Sequence, residues 1–168
     1  GGTQVTSGGA QTYTGNVVLQ GVGGSFEFDS TLGGTGSNVS VLGTLTSPTA
    51  KSLKLNAGST GDVNLLNAIA NTPSYTSVIV SGANLTLQAI AASNSVEINP
   101  SVLGNVGVIS GSTTTLTKGG GGVLNLNAGN TYGGNTTINA GTFKLAGSSS
   151  LAAGTYVGDI AIALGAKL

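Results

Sequence analysis

The chain contains no cysteine, histidine, methionine, tryptophan or arginine. Without Cys and His, zinc, haem and iron–sulfur sites of the ordinary kinds are excluded. So are Ser–His–Asp and Cys–His nucleophile systems. No disulfide can staple the fold. Charged residues are only 6% of the 168 residues, and five lysines balance three aspartates and two glutamates. That leaves no basic surface for the phosphate contacts that drive nucleic-acid binding. A primary translation product starts with Met and this chain starts Gly1-Gly2-Thr3, so it is expected to be a processed product or an excerpt. The longest apolar stretches, such as Ile160 to Leu164, are far too short to span a membrane.

Glycine, serine, threonine and asparagine are abundant, together 86 of the 168 residues. Disorder combines low hydrophobicity with high net charge. Here 39% of residues are hydrophobic, mean hydropathy is +0.30 and net charge is zero, so a core is expected. The length suits one domain, taken as 1–168.

The dominant signal is a short apolar triplet with an outward middle residue. Examples are Phe26-Glu27-Phe28, Val39-Ser40-Val41, Leu53-Lys54-Leu55, Val78-Ile79-Val80, Val96-Glu97-Ile98, Val106-Gly107-Val108, Leu124-Asn125-Leu126, Phe143-Lys144-Leu145 and Ile160-Ala161-Ile162. Period 2 is the side-chain period of a strand with one buried face. Four of the charged residues, Glu27, Lys54, Glu97 and Lys144, occupy the middle position. Triplets recur roughly every ten residues, separated by Gly and Asn, which suits a sandwich, a barrel or a β-solenoid. Dense Gly and Asn for repeated corners, few aromatics and internal repetition favour the solenoid. Val63-Asn64-Leu65 is a further such triplet, although Asp62 to Ala70 also reads as one or two helical turns stopped before Pro73. Pro48 and Pro100 are assigned to loops.

The repetition is direct. Gln11-Thr12-Tyr13-Thr14-Gly15-Asn16 aligns with Asn130-Thr131-Tyr132-Gly133-Gly134-Asn135. Leu53 to Gly58 aligns with Leu124 to Gly129, and Ile138-Asn139-Ala140-Gly141 is a partial third copy. Asparagines entering such turns are expected to stack and bond between coils.

Leu116 to Leu145 reads LTKGGGGVLNLNAGNTYGGNTTINAGTFKL and closely resembles the autotransporter-associated β-strand repeat. Leu116, Thr117, Lys118, Gly120, Gly122, Leu124, Leu126, Asn130, Thr131, Tyr132, Gly134, Thr136, Ile138, Gly141 and Leu145 carry the match. Ala128 and Phe143 depart from it. The first 110 residues are only generically similar to filamentous-haemagglutinin-like adhesin passengers. The resemblance implies a right-handed parallel β-helix in a secreted or surface-displayed bacterial protein, used as a stalk or adhesive surface. The family's membrane barrel lies outside this segment.

Candidate chemistry is sparse. Glu27 and Asp29 lie two apart and would share a strand face, the one pairing available to a polysaccharide-cleaving carboxylate mechanism. Solvated outward charge is the simpler reading. Gly33 to Val41 fits a calcium-binding nonapeptide with Asn38 in place of Asp, but a single neutral copy favours a Gly-rich corner. Gly119 to Gly122 follows Lys118 and precedes a strand, the reverse of a phosphate loop. Threonines around Leu45 and Leu116 are too irregular for an ice-binding array and read as outward strand formers. The sequons at Asn38, Asn84 and Asn135 read as accidents of composition.

The sequence thus predicts an all-β, right-handed parallel β-helix of roughly six to eight coils, about 30–40 Å long at the inter-strand spacing. No catalytic, cofactor-binding or metal residue is assigned, and no cofactor. The function expected is an extracellular structural or adhesive stalk, matrix or filament segment. A polysaccharide-active enzyme using Glu27 and Asp29 is the alternative. Expected partners are copies of itself, the rest of a longer passenger, or host and matrix surfaces. Neither nucleic acid nor a membrane span in this segment is expected. No capping helix or charged segment is seen at either terminus, so both ends are expected to need a partner.

Overall fold

The computed structural model describes residues 2–20, 24–69, 75–151 and 155–168. Every strand pairing in it is parallel, and the described residues contain no helix. The chain winds into a β-solenoid of about six turns, one of the architectures that the period-2 triplets suit. It visits three stacks in a fixed order.

The first stack contains β1 (Thr3–Thr6), β4 (Ser25–Asp29), β7 (Ser52–Asn56), two passes of β9 (Tyr75–Gly111), β10 (Thr115–Lys118), β13 (Thr136–Ile138) and β15 (Ile160–Ile162). The second contains β2 (Gln11–Tyr13), β5 (Val39–Val41), β8 (Val63–Leu65), β9 again, β11 (Val123–Leu126) and β14 (Thr142–Leu145). The third is the most broken. It pairs β3 (Val17–Val18) with β6 (Leu45–Thr46), bridges Ile69 to Ile90, and pairs Ser110–Gly111 of β9 with β12 (Thr131–Tyr132).

β9 explains why this is a coil and not a sheet. Its 37 residues would run about 120 Å if straight. It folds over itself instead: Ser77 to Ser81 pair with β7, while Ser95 to Ile98 pair with β10. The Asn99 amide donates to the Ser81 hydroxyl at 3.2 Å, joining two passes of one strand.

Apolar triplets become ladders. In the first stack, one inward column runs through Phe26, Leu53, Val78, Val96 and Leu116, and a second through Phe28, Leu55, Val80 and Ile98. All are buried. Their middle partners face outward, as expected. Burial at about 25 cal/mol per Å² of apolar surface holds the columns together, and the ladder hydrogen bonds fix their register.

Three sequence expectations need correction. Asp62 to Ile69, the described part of the span read as helical turns, is not helical: Val63 and Leu65 are buried in β8, which pairs with β5 on one side and β9 on the other. Two parallel neighbours satisfy its backbone, so tertiary pairing overrides a weak local helix preference. Pro73 lies outside the described residues. Pro100 is no loop residue, because it is buried within β9 and its carbonyl accepts the Gly122 N–H at 3.0 Å. Pro48 does lie outside the strands. The alternation also fails at Gly107. Val106 and Ile109 are fully buried while Val108 is half-buried, because the chain turns a corner there. A Cβ on Gly107 would lie 1.9 Å from the Gln88 carbonyl oxygen, so the corner packs directly on the preceding pass.

The repeat copies fall on different faces. Leu53 to Asn56 lies in the first stack, whereas its copy Leu124 to Asn127 lies at the second. Gln11 to Tyr13 lies in the second, and its copy around Tyr132 in the third. The repeated unit is a strand with its corner, reused on different faces, and not a whole coil. That accounts for the uneven spacing of the copies.

Candidate functional site

Glu27 and Asp29 do share the outward face of β4. Each is already engaged between coils. Glu27 forms an ion pair with Lys54 at 2.6 Å and accepts from the Gln4 amide at 3.1 Å. Asp29 accepts from the Thr31 N–H and hydroxyl at 2.8 and 2.6 Å, and from the Asn56 amide at 3.4 Å. Partial burial pushes the Asp29 carboxyl up, but the Thr31 bonds, the Lys54 charge and the Asn56 amide outweigh it and hold it below the ordinary carboxylate range. An anion held so firmly is a poor proton donor near neutrality. Beside Glu27 runs a shallow groove of about 180 Å³, bordered also by Ser25, Ser52, Ser77, Lys54 and Ile79. Ser77 and Ser52 bond to each other there at 2.9 Å.

Asn38 serves the corner and not an ion. Its side-chain oxygen accepts the Asp62 N–H at 2.9 Å, one coil on. Gly36, at φ 111°, packs against the next turn, where a Cβ would lie 1.9 Å from the Ala57 carbonyl oxygen. Among the described residues no three Asp, Glu, His or Cys side chains gather where they could hold a metal.

Four of the corner bonds share one pattern, whereas Asn130 accepts from the coil before it. In those four the oxygen of an Asn or Asp in one coil accepts a backbone N–H from the next. Asn16 takes the Thr44 N–H at 3.0 Å, Asp62 the Asn84 N–H at 3.0 Å, and Asn135 the Asp159 N–H at 3.0 Å. This is the stacking expected of turn asparagines. It also occupies the Asn38 and Asn135 side-chain oxygens, while the Asn84 amide is held by Asp62 at 2.9 Å.

The Gly119 to Gly122 turn presents carbonyls inward, opposite to a phosphate cradle. Lys118 is fully buried and its ammonium donates to the carbonyls of Gly119, of Gly120 at 2.7 Å and of Ala140 at 3.0 Å. Gly119 and Gly122 spend their own N–H groups on Ile98 and Pro100 one coil back. Burial lowers the Lys118 pKa to about 8. The sequence reading did not place this lysine inside. The signal was present: Leu116-Thr117-Lys118 alternates like its neighbours, and Lys118 stands between Ile98 and Ile138 in their column.

The other polar members of the Leu116–Leu145 segment are structural too. Asn130 is buried, accepts the Ile109 N–H at 2.8 Å and donates to the Ala128 and Ser150 carbonyls, both at 2.9 Å. Thr136 replaces an aliphatic residue in its column and bonds the hydroxyls of Tyr132 and Tyr156 at 2.8 and 2.7 Å. Phe143 is buried near the C-terminal end.

Apolar recesses lie against the first and the last coils described. At the C-terminal end a recess of about 390 Å³ is lined by Phe143, Leu145, Leu151, Ile160 and Leu168, with Lys144 at its border. At the N-terminal end a recess of about 300 Å³ is lined by residues including Val5, Tyr13, Val17, Leu19, Phe26 and Phe28.

These features define a class, the parallel β-solenoid. Comparison with protein-family models, curated proteins and solved structures finds no match to this chain. No helix among the described residues is long and apolar enough to cross a membrane.

Proposed function

We propose that this chain is a segment of an extracellular, non-catalytic β-solenoid that works as a stalk, matrix or filament element with an adhesive surface. The repeat-like segment Leu116 to Leu145 supports a bacterial autotransporter-like or adhesin-like setting, displayed at the cell surface. One observation carries the structural reading: Glu27, Asp29 and Asp62, three of the five carboxylates, are spent on bonds between adjacent coils. Chemistry would need such groups free and convergent. Here they tie the rod along its axis, where low charge limits repulsion between coils.

The test is adhesion without turnover. Beads coated with the purified chain should bind matrix or glycan surfaces, and Glu27→Ala and Asp29→Ala should bind equally well. Release of reducing sugar by the wild type, abolished in either variant, would overturn the reading in favour of an enzyme. Electron microscopy should show narrow rods.

A further inference from the structure

We infer that the groove on the outer face of the first stack is a binding subsite for one ring of a neutral glycan, with the glycan chain lying along the rod. This rests on the adhesive reading and names its ligand class. Parallel pairing stacks Ser25 on Ser52 and Ser52 on Ser77, so hydroxyls line the groove at one per coil. The Ser77 hydroxyl donates to Ser52 at 2.9 Å. A hydroxyl has one donor and two acceptor sites, so that bond leaves the Ser52 proton and acceptor sites on both oxygens for a ligand. Two residues further along the same strands stand Glu27, Lys54 and Ile79. Gln4, Glu27 and Lys54 precede the half-buried Ile79 in that outward column, so it sets an apolar patch among polar groups. Glu27 spends its oxygens on Lys54 and Gln4, whereas the Lys54 ammonium has three donors and gives one to Glu27. The groove thus offers hydroxyls, spare N–H donors and an apolar patch, at no net charge.

That set selects the occupant. A sugar ring carries hydroxyls at its edge and C–H groups on its face, and a neutral ring leaves the Glu27–Lys54 pair undisturbed. At about 180 Å³ the groove is smaller than the roughly 300–1,000 Å³ of drug-sized sites and suits a single ring. A peptide strand finds no free edge, because β4 lies between β1 and β7, and β7 between β4 and β9. To a phosphate the groove offers only Lys54, already paired. The serine position gives the direction. Ser95 and Thr115 precede the buried Val96 and Leu116 as Ser52 and Ser77 precede Leu53 and Val78, and they pair in the same stack further along the rod. Hydroxyls therefore recur along the axis at about 4.8 Å per coil, within reach of successive rings.

Amide NMR titration of the full chain tests this, with neutral hexasaccharides of glucose, mannose, galactose and N-acetylglucosamine and an acidic galacturonate hexamer. A neutral hexamer should give saturable shifts centred on Ser25, Ser52, Ser77 and Ile79, with a Kd on the order of millimolar, as so few contacts allow. The matching monosaccharide should shift the same amides more weakly. Ile79→Thr keeps a β-branched strand residue and should weaken binding about tenfold. Ser52→Ala should weaken it by about threefold to tenfold. Glu27→Ala, and Thr86→Ala on the second stack, should leave it unchanged. The spectra themselves report whether each variant is folded. No saturable shift with any neutral hexamer, shifts centred elsewhere, or tighter binding of the galacturonate hexamer overturns the inference. Full binding by both Ile79→Thr and Ser52→Ala overturns it too. Beads that adhere equally with those two variants remove the groove and leave the adhesive reading standing, whereas hexamer binding without bead adhesion sinks only the adhesive reading.

Discussion

At the residue scale, glycine and one lysine carry the sharpest consequences. Gly36 and Gly58 both have positive φ, and their turns press together, so a Cβ on Gly58 would lie 2.0 Å from the Thr35 carbonyl oxygen. Gly36→Ala should therefore cost at least about 1–3 kcal/mol from backbone strain alone. Gly121 has no neighbour within 4 Å of an added Cβ, and Gly121→Ala should be neutral or stabilising by up to about 1 kcal/mol. Urea denaturation of the two variants compares them.

Lys118 gives a pH signature. Its folded pKa of about 8 lies below the ordinary lysine value, so between those two pH values the unfolded chain binds more protons than the folded one. Stability should be flat below pH 8 and rise as pH passes through that window. The tyrosines act oppositely. Burial raises the pKa of Tyr13 and Tyr132 and takes Tyr75 to about 12, so the folded chain keeps protons that the unfolded chain loses above about pH 10. Thermal melts from pH 7 to 11 should peak near the crossover, about pH 10. In Lys118→Met the rise should vanish while the fall remains. An unchanged rise would show that another group supplies it.

At the element scale, each ladder is a column of interchangeable positions with a few polar exceptions. Leu55→Ala, in the middle of a fully buried column, should cost about 2–5 kcal/mol in a chemical melt. Thr136→Val keeps the shape but leaves the Tyr132 hydroxyl without its partner. It should cost about 1–3 kcal/mol. The paired change Thr136→Val with Tyr132→Phe should recover most of that, because no buried hydroxyl is stranded. The ion pair of Glu27 and Lys54 is partly solvated, and Lys54→Ala should cost less than about 1 kcal/mol. The strand triplets were legible because alternation is a local property. The third stack was harder to read, since its strands span only two residues or a single bridge, too short for a period to register. β8 was legible as the triplet Val63-Asn64-Leu65, and the competing helical reading came from the residues that flank it.

At the whole-molecule scale, stability comes from neighbours along one axis. Each coil touches the next, and among the described residues the hydrogen bonds join neighbouring coils or skip one, as from the Ser101 hydroxyl to the Ser59 carbonyl at 2.8 Å. Destabilising a middle coil should therefore split unfolding. Hydrogen exchange of Leu55→Ala should show coils around β7 losing protection together while β10 to β13 stay protected. Uniform loss across the rod would mean a single cooperative unit instead. The site reading follows the same geometry. Carboxylates and asparagines that look unremarkable one by one form columns of inter-coil bonds once stacked.

The sequence by itself determined the all-β class, the inward and outward sides of most strands, the stacking of turn asparagines and the exclusion of His- and Cys-based chemistry. Each follows from composition or from nearest-neighbour spacing, which survive without knowing what packs on what. Only the tertiary structure decided which face each repeat copy occupies, which of the two readings of Val63 to Leu65 holds, that Pro100 lies in β9 and that Lys118 is inside. Those depend on partners about twenty residues away: Lys118 meets Ala140 at 22 residues' separation. A residue's fate in a solenoid is set by the coils before and after it, and that register exists only when the chain is wound.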